Sequence, residues 1–93
     1  GDWKSVLSSE KFLGLKDVTN VFAIVKHIHR IFFEEGTAFS RLALSSETKE
    51  EKDQLLDLAG QSFQESIRVR PNDYRSLHNH AYSLYLKAMN KVH

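Results

Sequence analysis

The sequence has no cysteine, only one proline and only four glycines. The absence of cysteine excludes a disulfide framework and a thiolate zinc site, and it is typical of an intracellular protein. The scarcity of proline and glycine leaves room for long uninterrupted helices. The chain also lacks a signal peptide and any uncharged apolar run of about 18 residues, so we expect no membrane span and a cytoplasmic location.

The charges of the chain nearly cancel, because 13 lysines and arginines stand against 12 aspartates and glutamates. A net charge of +1 gives little general attraction to nucleic acid or to an anionic membrane. One basic strip can be drawn, but neighbouring acidic residues offset it; its members are Lys26, His27, Arg30, Arg75, His78 and His80. We therefore predict a protein or peptide partner rather than a nucleic acid.

Five histidines raise the question of a metal site. His27 and His29 are two residues apart, as are His78 and His80, and residues at that spacing do not face one another on a helix. His29 and His80 stand near the edges of apolar stripes, where we expect a hydrogen-bonded, partly buried histidine. The sequence also has no serine-nucleophile motif and no phosphate-binding glycine loop. We therefore predict no metal, no cofactor and no catalytic residue.

Apolar residues recur at helical spacing through most of the chain, and this periodicity predicts an all-α fold. A length of 93 residues allows one domain with a modest core. The longest stripe predicts a single helix over 17–45 and consists of Val18, Val21, Phe22, Val25, Ile28, Phe32, Gly36, Phe39, Leu42 and Ala43. We predict further helices over 2–13, 49–70 and 74–90.

Local signals mark the ends of these helices. Thr48 and Glu51 form a capping-box pattern at the start of the helix 49–70. Pro71 cannot continue that helix, because it lacks an N–H group and its ring clashes with the preceding turn, and Asn72 or Asp73 can cap the next helix. The stripes on either side predict antiparallel helices joined by a short turn; they contain Ala59, Phe63, Ser66 and Ile67, then Leu77, Ala81, Leu84, Tyr85 and Ala88.

These positions also carry a family resemblance. The spacing that closes a tetratricopeptide (TPR) repeat is matched by Ala59, Phe63, Ser66 and Pro71, and the spacing that opens the next repeat is matched by Leu77, Ala81 and Leu84. The pattern W-x2-L-G-x2-Y is matched upstream by Phe32, Gly36 and Phe39, with Glu35 in place of its Leu. The chain therefore resembles a TPR protein, which implies a right-handed stack of about four helices.

Gly36 lies in the middle of the long apolar stripe. A glycine inside a helix costs about 0.8–1 kcal/mol relative to alanine, and the resemblance implies a compensating close approach of a second helix backbone. Ala59 comes about 11 residues later than the family spacing requires, which is almost three helical turns. We therefore predict elongated helices with a protruding tip at 45–48; a separate loop insertion is the alternative. The charged residues that follow predict a solvated helix start or an acidic docking surface.

The resemblance implies a binding surface, since the first helices of TPR repeats line a concave groove that receives a peptide or a partner helix. On this register the groove-facing residues are Arg30, Phe33, Thr37, Arg41, Arg75, His78, Asn79, Tyr82 and Leu86. Cationic donors and aromatic anchors together suit an extended peptide with carboxylates and an apolar side chain. Alternatively, Phe33 and Tyr82 pack against the helix 2–13, which would then lie in the groove as a lid.

Some TPR domains clasp the acidic C-terminus of chaperones through a set of lysine and asparagine side chains. Asn79 matches the asparagine that such a clamp carries in its second repeat. The first-repeat positions hold Phe33 and Thr37, so the clamp is incomplete and we do not predict chaperone binding by this mechanism.

The function that follows is a non-catalytic interaction or scaffold module. The start at Gly1 and the end at His93, inside a helical pattern, predict that the module belongs to a larger intracellular protein. One alternative is self-association through the helix 17–45 or through the exposed face of the helix 74–90. A further alternative is a regulatory helical bundle that controls an attached catalytic domain.

Overall fold

The computed structural model describes residues 18–92, which form three α-helices and no strand. Helix α1 covers Val18–Leu44, α2 covers Lys49–Val69 and α3 covers Tyr74–Val92. The predicted all-α fold with helical hairpins is therefore confirmed, and each helix begins and ends within two residues of its predicted bounds. The predicted helix 2–13, and the lid that it would form, lie outside the described residues.

A tight turn at 45–48 joins α1 to α2. The N–H groups of Ser45 and Ser46 donate to the carbonyl oxygens of Leu42 and Ala43, each at 3.2 Å, so the end of α1 closes without a long loop. The Thr48 hydroxyl then accepts a hydrogen bond of 3.2 Å from the Glu51 N–H and caps α2. Only residues 45–48 separate α1 from α2, so no longer loop is inserted at this point.

The second turn contains Pro71, which ends α2 as its ring geometry requires. Asp73 caps α3: its carboxylate accepts a hydrogen bond of 3.0 Å from the Arg75 N–H, and its carbonyl accepts one of 3.2 Å from the Leu77 N–H. Of the two predicted caps, Asp73 is therefore the one in use. The turn reverses the chain, and α3 packs against the same helix, α2, that packs against α1.

The apolar core lies between α1 and α2 and is small. Its fully buried apolar side chains are Ala43, Leu56, Ala59 and Phe63. Gly36 is buried in the middle of an unbroken α1, and a Cβ atom placed on it would lie 2.7–2.9 Å from three carbons of the Phe63 ring. The atoms nearest to this position therefore belong to an aromatic ring of α2, and the expected close approach of a second helix backbone stays a prediction.

The interface between α2 and α3 is polar. The buried residues of α3 are Ser76 and Ser83, Lys87 forms an ion pair with Asp57, and the Asn90 side chain donates to the Lys49 carbonyl at 3.0 Å. The apolar stripe that the sequence places on α3 is exposed instead; it contains Leu77, Ala81, Leu84, Tyr85 and Ala88. Small hydroxyl side chains, rather than this stripe, let α3 lie close to α2.

Candidate partner-binding groove

Two cavities lie along the gap between α1 and α3. Each is lined by side chains from both sides of the gap, while α1 and α3 make few direct contacts because α2 lies between them. We call this gap the groove. The predicted groove residues belong to α1 and α3, and the structure places most of them along it.

The first cavity is basic and has a volume of about 230 Å³. Its charged lining consists of Lys26, Arg30, Arg70 and Arg75, accompanied by His27 and His29, and no carboxylate lines it. The Arg30 guanidinium lies 3.9 Å from Glu34 on the exposed surface of α1, a distance at which screening leaves little attraction. We call this site the basic cavity, and its lining suits an anionic group.

The second cavity lies further along the groove and has a volume of about 170 Å³. The buried Phe63 ring contributes to its lining, and the other lining residues are Thr37, Ser40, Arg41, Leu44, Asn79 and Tyr82. The Thr37 hydroxyl donates to the Phe33 carbonyl at 2.9 Å, so it is already satisfied within α1. We call this site the distal cavity; its aromatic rings suit an apolar side chain.

Phe33 and Arg75 form a bridge across the groove. The Arg75 guanidinium carbon lies 5.1 Å from the centre of the Phe33 ring, within range of a cation–π attraction. Phe33 in turn meets the Phe63 ring edge-on, with centroids 6.1 Å apart. Arg75 Nε also lies 3.7 Å from the Asp73 carboxylate. Arg75 is therefore held in place from two sides while most of its side chain stays exposed.

Most of the predicted binding residues meet in this groove. Those that line a cavity or form the bridge are Arg30, Phe33, Thr37, Arg41, Arg75, Asn79 and Tyr82. His78 and Leu86 line neither cavity; His78 is exposed and Leu86 is half-buried on α3. Sequence reasoning missed Arg70, which follows α2 directly and carries no helical-register signal.

A buried polar cluster lies beside the basic cavity and links all three helices. His29 Nε2 pairs with the Asp73 carboxylate, and His29 Nδ1 lies 3.1 Å from the Ser66 carbonyl and 3.0 Å from its hydroxyl. The Ser66 hydroxyl also lies 2.8 Å from that of Ser76. The prediction of a hydrogen-bonded histidine at position 29 is confirmed. His29 was expected to be partly buried, and it is almost fully buried.

The cluster brings a serine, a histidine and an aspartate together, as in hydrolytic enzymes. The Ser66 side chain is 0% exposed, however, and a nucleophile must reach its substrate. The arrangement also places the aspartate at Nε2 and the serine at Nδ1, which is the reverse of that template. What this cluster does in the folded chain is hold α1, α2 and α3 together through hydrogen bonds.

The environment of Asp73 favours its charged form. Burial raises the pKa of Asp73, but the Arg75 backbone N–H, the hydrogen bond with His29 and the charges of His29 and Arg75 outweigh burial. The pKa of Asp73 therefore lies below its ordinary value of 3.8. A charged Asp73 keeps both its cap on α3 and its bond to α1 at neutral pH.

Within residues 18–92, no group of three His, Asp or Glu side chains is placed to hold a metal ion. No helix in the described part of the chain is long and apolar enough to cross a membrane. The chain matches none of the family models, curated proteins or solved structures with which it was compared. The fold and the groove thus define a class, an all-α protein with an open cleft between two helices.

Proposed function

We propose that this chain is a non-catalytic interaction module that binds an acidic peptide or partner helix in the groove between α1 and α3. The observation that carries the proposal is the alignment of two cavities with different chemistry along one groove. The basic cavity would take carboxylates, and the distal cavity would take an apolar side chain. In this proposal α1, α2 and α3 are part of a TPR-like stack within a larger intracellular scaffold protein.

The chemistry of the basic cavity supports an acidic ligand. Arginine presents a planar fork of donors that matches the two oxygens of a carboxylate. Arg75 is already positioned by Phe33 and Asp73, so less side-chain freedom is lost when it binds. The lining of the basic cavity holds four cationic side chains without a carboxylate, although the whole chain carries a net charge of only +1.

The chemistry of the distal cavity supports an apolar anchor. Aromatic and arginine side chains supply most of the binding energy at protein interfaces, and Tyr82 and Arg41 line this cavity together with the Phe63 ring. Tyr82 also stacks on Tyr85, with ring centroids 6.3 Å apart, which restricts its rotation. An apolar ligand side chain would therefore meet a partly ordered surface.

The proposal can be tested by selecting peptides from a displayed random library on the immobilised chain. We expect the selected peptides to combine carboxylates with an apolar residue and to lose binding to the Arg75→Glu and Tyr82→Ala variants. Circular dichroism should show both variants folded, because both side chains are exposed. The loss should reach about tenfold, which corresponds to about 1.4 kcal/mol and to the value of a charge-assisted hydrogen bond.

Lys49→Glu is the matched control, since it makes the same charge reversal at the start of α2, in neither cavity lining. It should bind the selected peptides as the unaltered chain does. Equal weakening by Lys49→Glu and Arg75→Glu would show that net charge alone attracts the peptides. Normal binding by both Arg75→Glu and Tyr82→Ala would show that the groove is not the binding surface.

A further inference from the structure

Helix α3 exposes a continuous apolar face that the groove does not use. The side chains are exposed by 84% at Tyr74, 54% at Leu84, 57% at Tyr85 and 76% at Val92. We call this face the α3 stripe; it consists of Tyr74, Leu77, Ala81, Leu84, Tyr85, Ala88 and Val92. The spacing of three and four residues keeps these side chains on one side of the helix over its whole length. Large exposed apolar faces of this kind mark interaction surfaces.

Specific contacts hold α3 in the orientation that exposes the stripe. Ser76 and Ser83 are buried against the rest of the protein, and they stand two helical turns apart on the side opposite Ala81 and Tyr85. The Ser76 hydroxyl bonds to Ser66, and Lys87 bonds to Asp57. Rotating α3 about its axis to bury the stripe would break these contacts, and the hydroxyl groups would gain no better hydrogen-bond partner. The exposure is therefore built into the packing.

The charges of α3 indicate which surface the stripe accepts. The helix contains no aspartate or glutamate, and its basic residues are Arg75, His78, His80, Lys87 and Lys91. His78 and Lys91 flank the stripe on its two sides, as helical spacing requires, and both are exposed. The formal charges of α3 at neutral pH are all positive, on Arg75, Lys87 and Lys91, so a second copy of α3 would bring like charges together. A helix with acidic flanks would bring opposite charges together.

We propose that the α3 stripe docks an amphipathic helix of a partner protein, with an apolar face against the stripe and acidic residues along its flanks. The 19 residues of α3 extend about 28 Å at 1.5 Å per residue, so a helix of about five turns covers the stripe. Helix-in-groove recognition reads apolar anchors at the same three- and four-residue spacing. This surface is separate from the groove, and the inference does not depend on what the groove binds.

The test uses two synthetic helical peptides of equal length with one shared leucine stripe, flanked by glutamate in one and by lysine in the other. Binding of each labelled peptide to the full chain is measured by fluorescence anisotropy. We expect the glutamate peptide to bind and the lysine peptide to bind at least about tenfold more weakly, since a few exposed ion pairs contribute about 0.2–1 kcal/mol each. Equal affinities for the two peptides, or binding of neither, would overturn the proposal.

Leu84→Glu tests the location of the site, and Ile31→Glu is its matched control on α1, where Ile31 is about as exposed as Leu84. Leu84→Glu should weaken binding of the glutamate peptide by at least about tenfold, because burial of a leucine side chain contributes about 1.5–3 kcal/mol. Ile31→Glu should leave binding unchanged, and circular dichroism should show both variants folded. Undiminished binding to Leu84→Glu contradicts the proposal. A dimer in sedimentation that Leu84→Glu dissociates would assign the stripe to a second copy and also overturn it.

Discussion

At the scale of single residues, two helical glycines provide a direct comparison. A Cβ atom on Gly36 would lie within 2.9 Å of the Phe63 ring, and that ring is buried and met edge-on by Phe33. A Cβ atom on Gly60 would meet its nearest neighbour, the His80 ring, at 4.0 Å, which is ordinary contact. The same change to alanine therefore has opposite consequences at the two positions.

We expect Gly36→Ala to destabilise the fold by about 1 kcal/mol, because overpacking costs about 1–3 kcal/mol and alanine returns about 1 kcal/mol of helix propensity. Gly60→Ala should stabilise the fold by about 1 kcal/mol for the same propensity reason. Urea unfolding followed by circular dichroism measures both changes. Replacing Phe63 with leucine in the Gly36→Ala background should reduce the overpacking around position 36. If both alanine variants gain stability equally, the ring does not restrict position 36.

Asp73 makes the stability of the fold depend on pH. Its pKa lies below 3.8 in the fold, so the stabilisation is fully present above 3.8 and disappears as the pH falls through the lowered folded pKa. Asp73→Asn keeps a good cap for α3 but loses the charged bond to His29. We expect a loss of about 1.5–3 kcal/mol at neutral pH, the usual value of a hydrogen bond to a charged group.

Urea unfolding at several pH values measures this effect. The difference between the unaltered chain and Asp73→Asn should shrink as the pH falls below 3.8. Asp57→Asn is a suitable control, since Asp57 makes a more exposed ion pair with Lys87 and its removal should cost less. A difference that does not shrink in acid would show that the charge of Asp73 is not what stabilises the fold.

At the scale of helices, α3 is attached differently from α1 and α2. The α1–α2 contact buries apolar side chains and Gly36, whereas the buried residues of α3 are the serines Ser76 and Ser83, and an ion pair and an amide hydrogen bond join α3 to α2. At the far end of α3, the Asp57 hydrogen bond raises the pKa of Lys87 despite the opposing effect of burial, with support from the charges of Asp57 and Asp53. Polar contacts of this kind contribute little net stability, because water competes for them.

We expect α3 to open more readily than the α1–α2 hairpin. Amide hydrogen exchange should show faster exchange over Tyr74–Val92 than over the middle of α1 and α2, since regions with few buried apolar contacts open at lower free energy. Binding of the glutamate-flanked helix to the α3 stripe should slow exchange in α3 selectively. Uniform protection across the three helices would show that the polar interface is as strong as the apolar one.

Local signals predicted the helices well but not the orientation of α3. Thr48, Pro71 and Asp73 act on the backbone beside them, so the helix ends could be read from the sequence. The apolar stripe of α3 indicates a face that favours burial, but the pattern does not say which element covers it. The serines that face α2 instead carry no apolar signal, and the bond between His29 and Asp73 joins residues 44 positions apart, beyond the reach of local patterns.

At the scale of the whole molecule, the described residues form a thin slab of 54 × 22 × 15 Å. Three helices in so elongated an arrangement enclose little volume between them. Few apolar side chains can be fully buried in such a shape, and the core is accordingly limited to Ala43, Leu56, Ala59 and Phe63. The groove and the α3 stripe are both open in this shape, and the stacked rings of Tyr82 and Tyr85 join the two proposed sites.

The hydroxyl contact between Ser66 and Ser76 has a consequence for selectivity. Hydrogen bonds weaken steeply when their length or direction is wrong, so the 2.8 Å separation fixes the register of α3 along α2. The basic and distal cavities each take residues from α3, and their separation is therefore constant. A ligand whose acidic and apolar groups are spaced too closely or too widely can satisfy only one cavity. In the proposed binding mode, the chain would therefore select ligands by the distance between two chemical groups as well as by their identity.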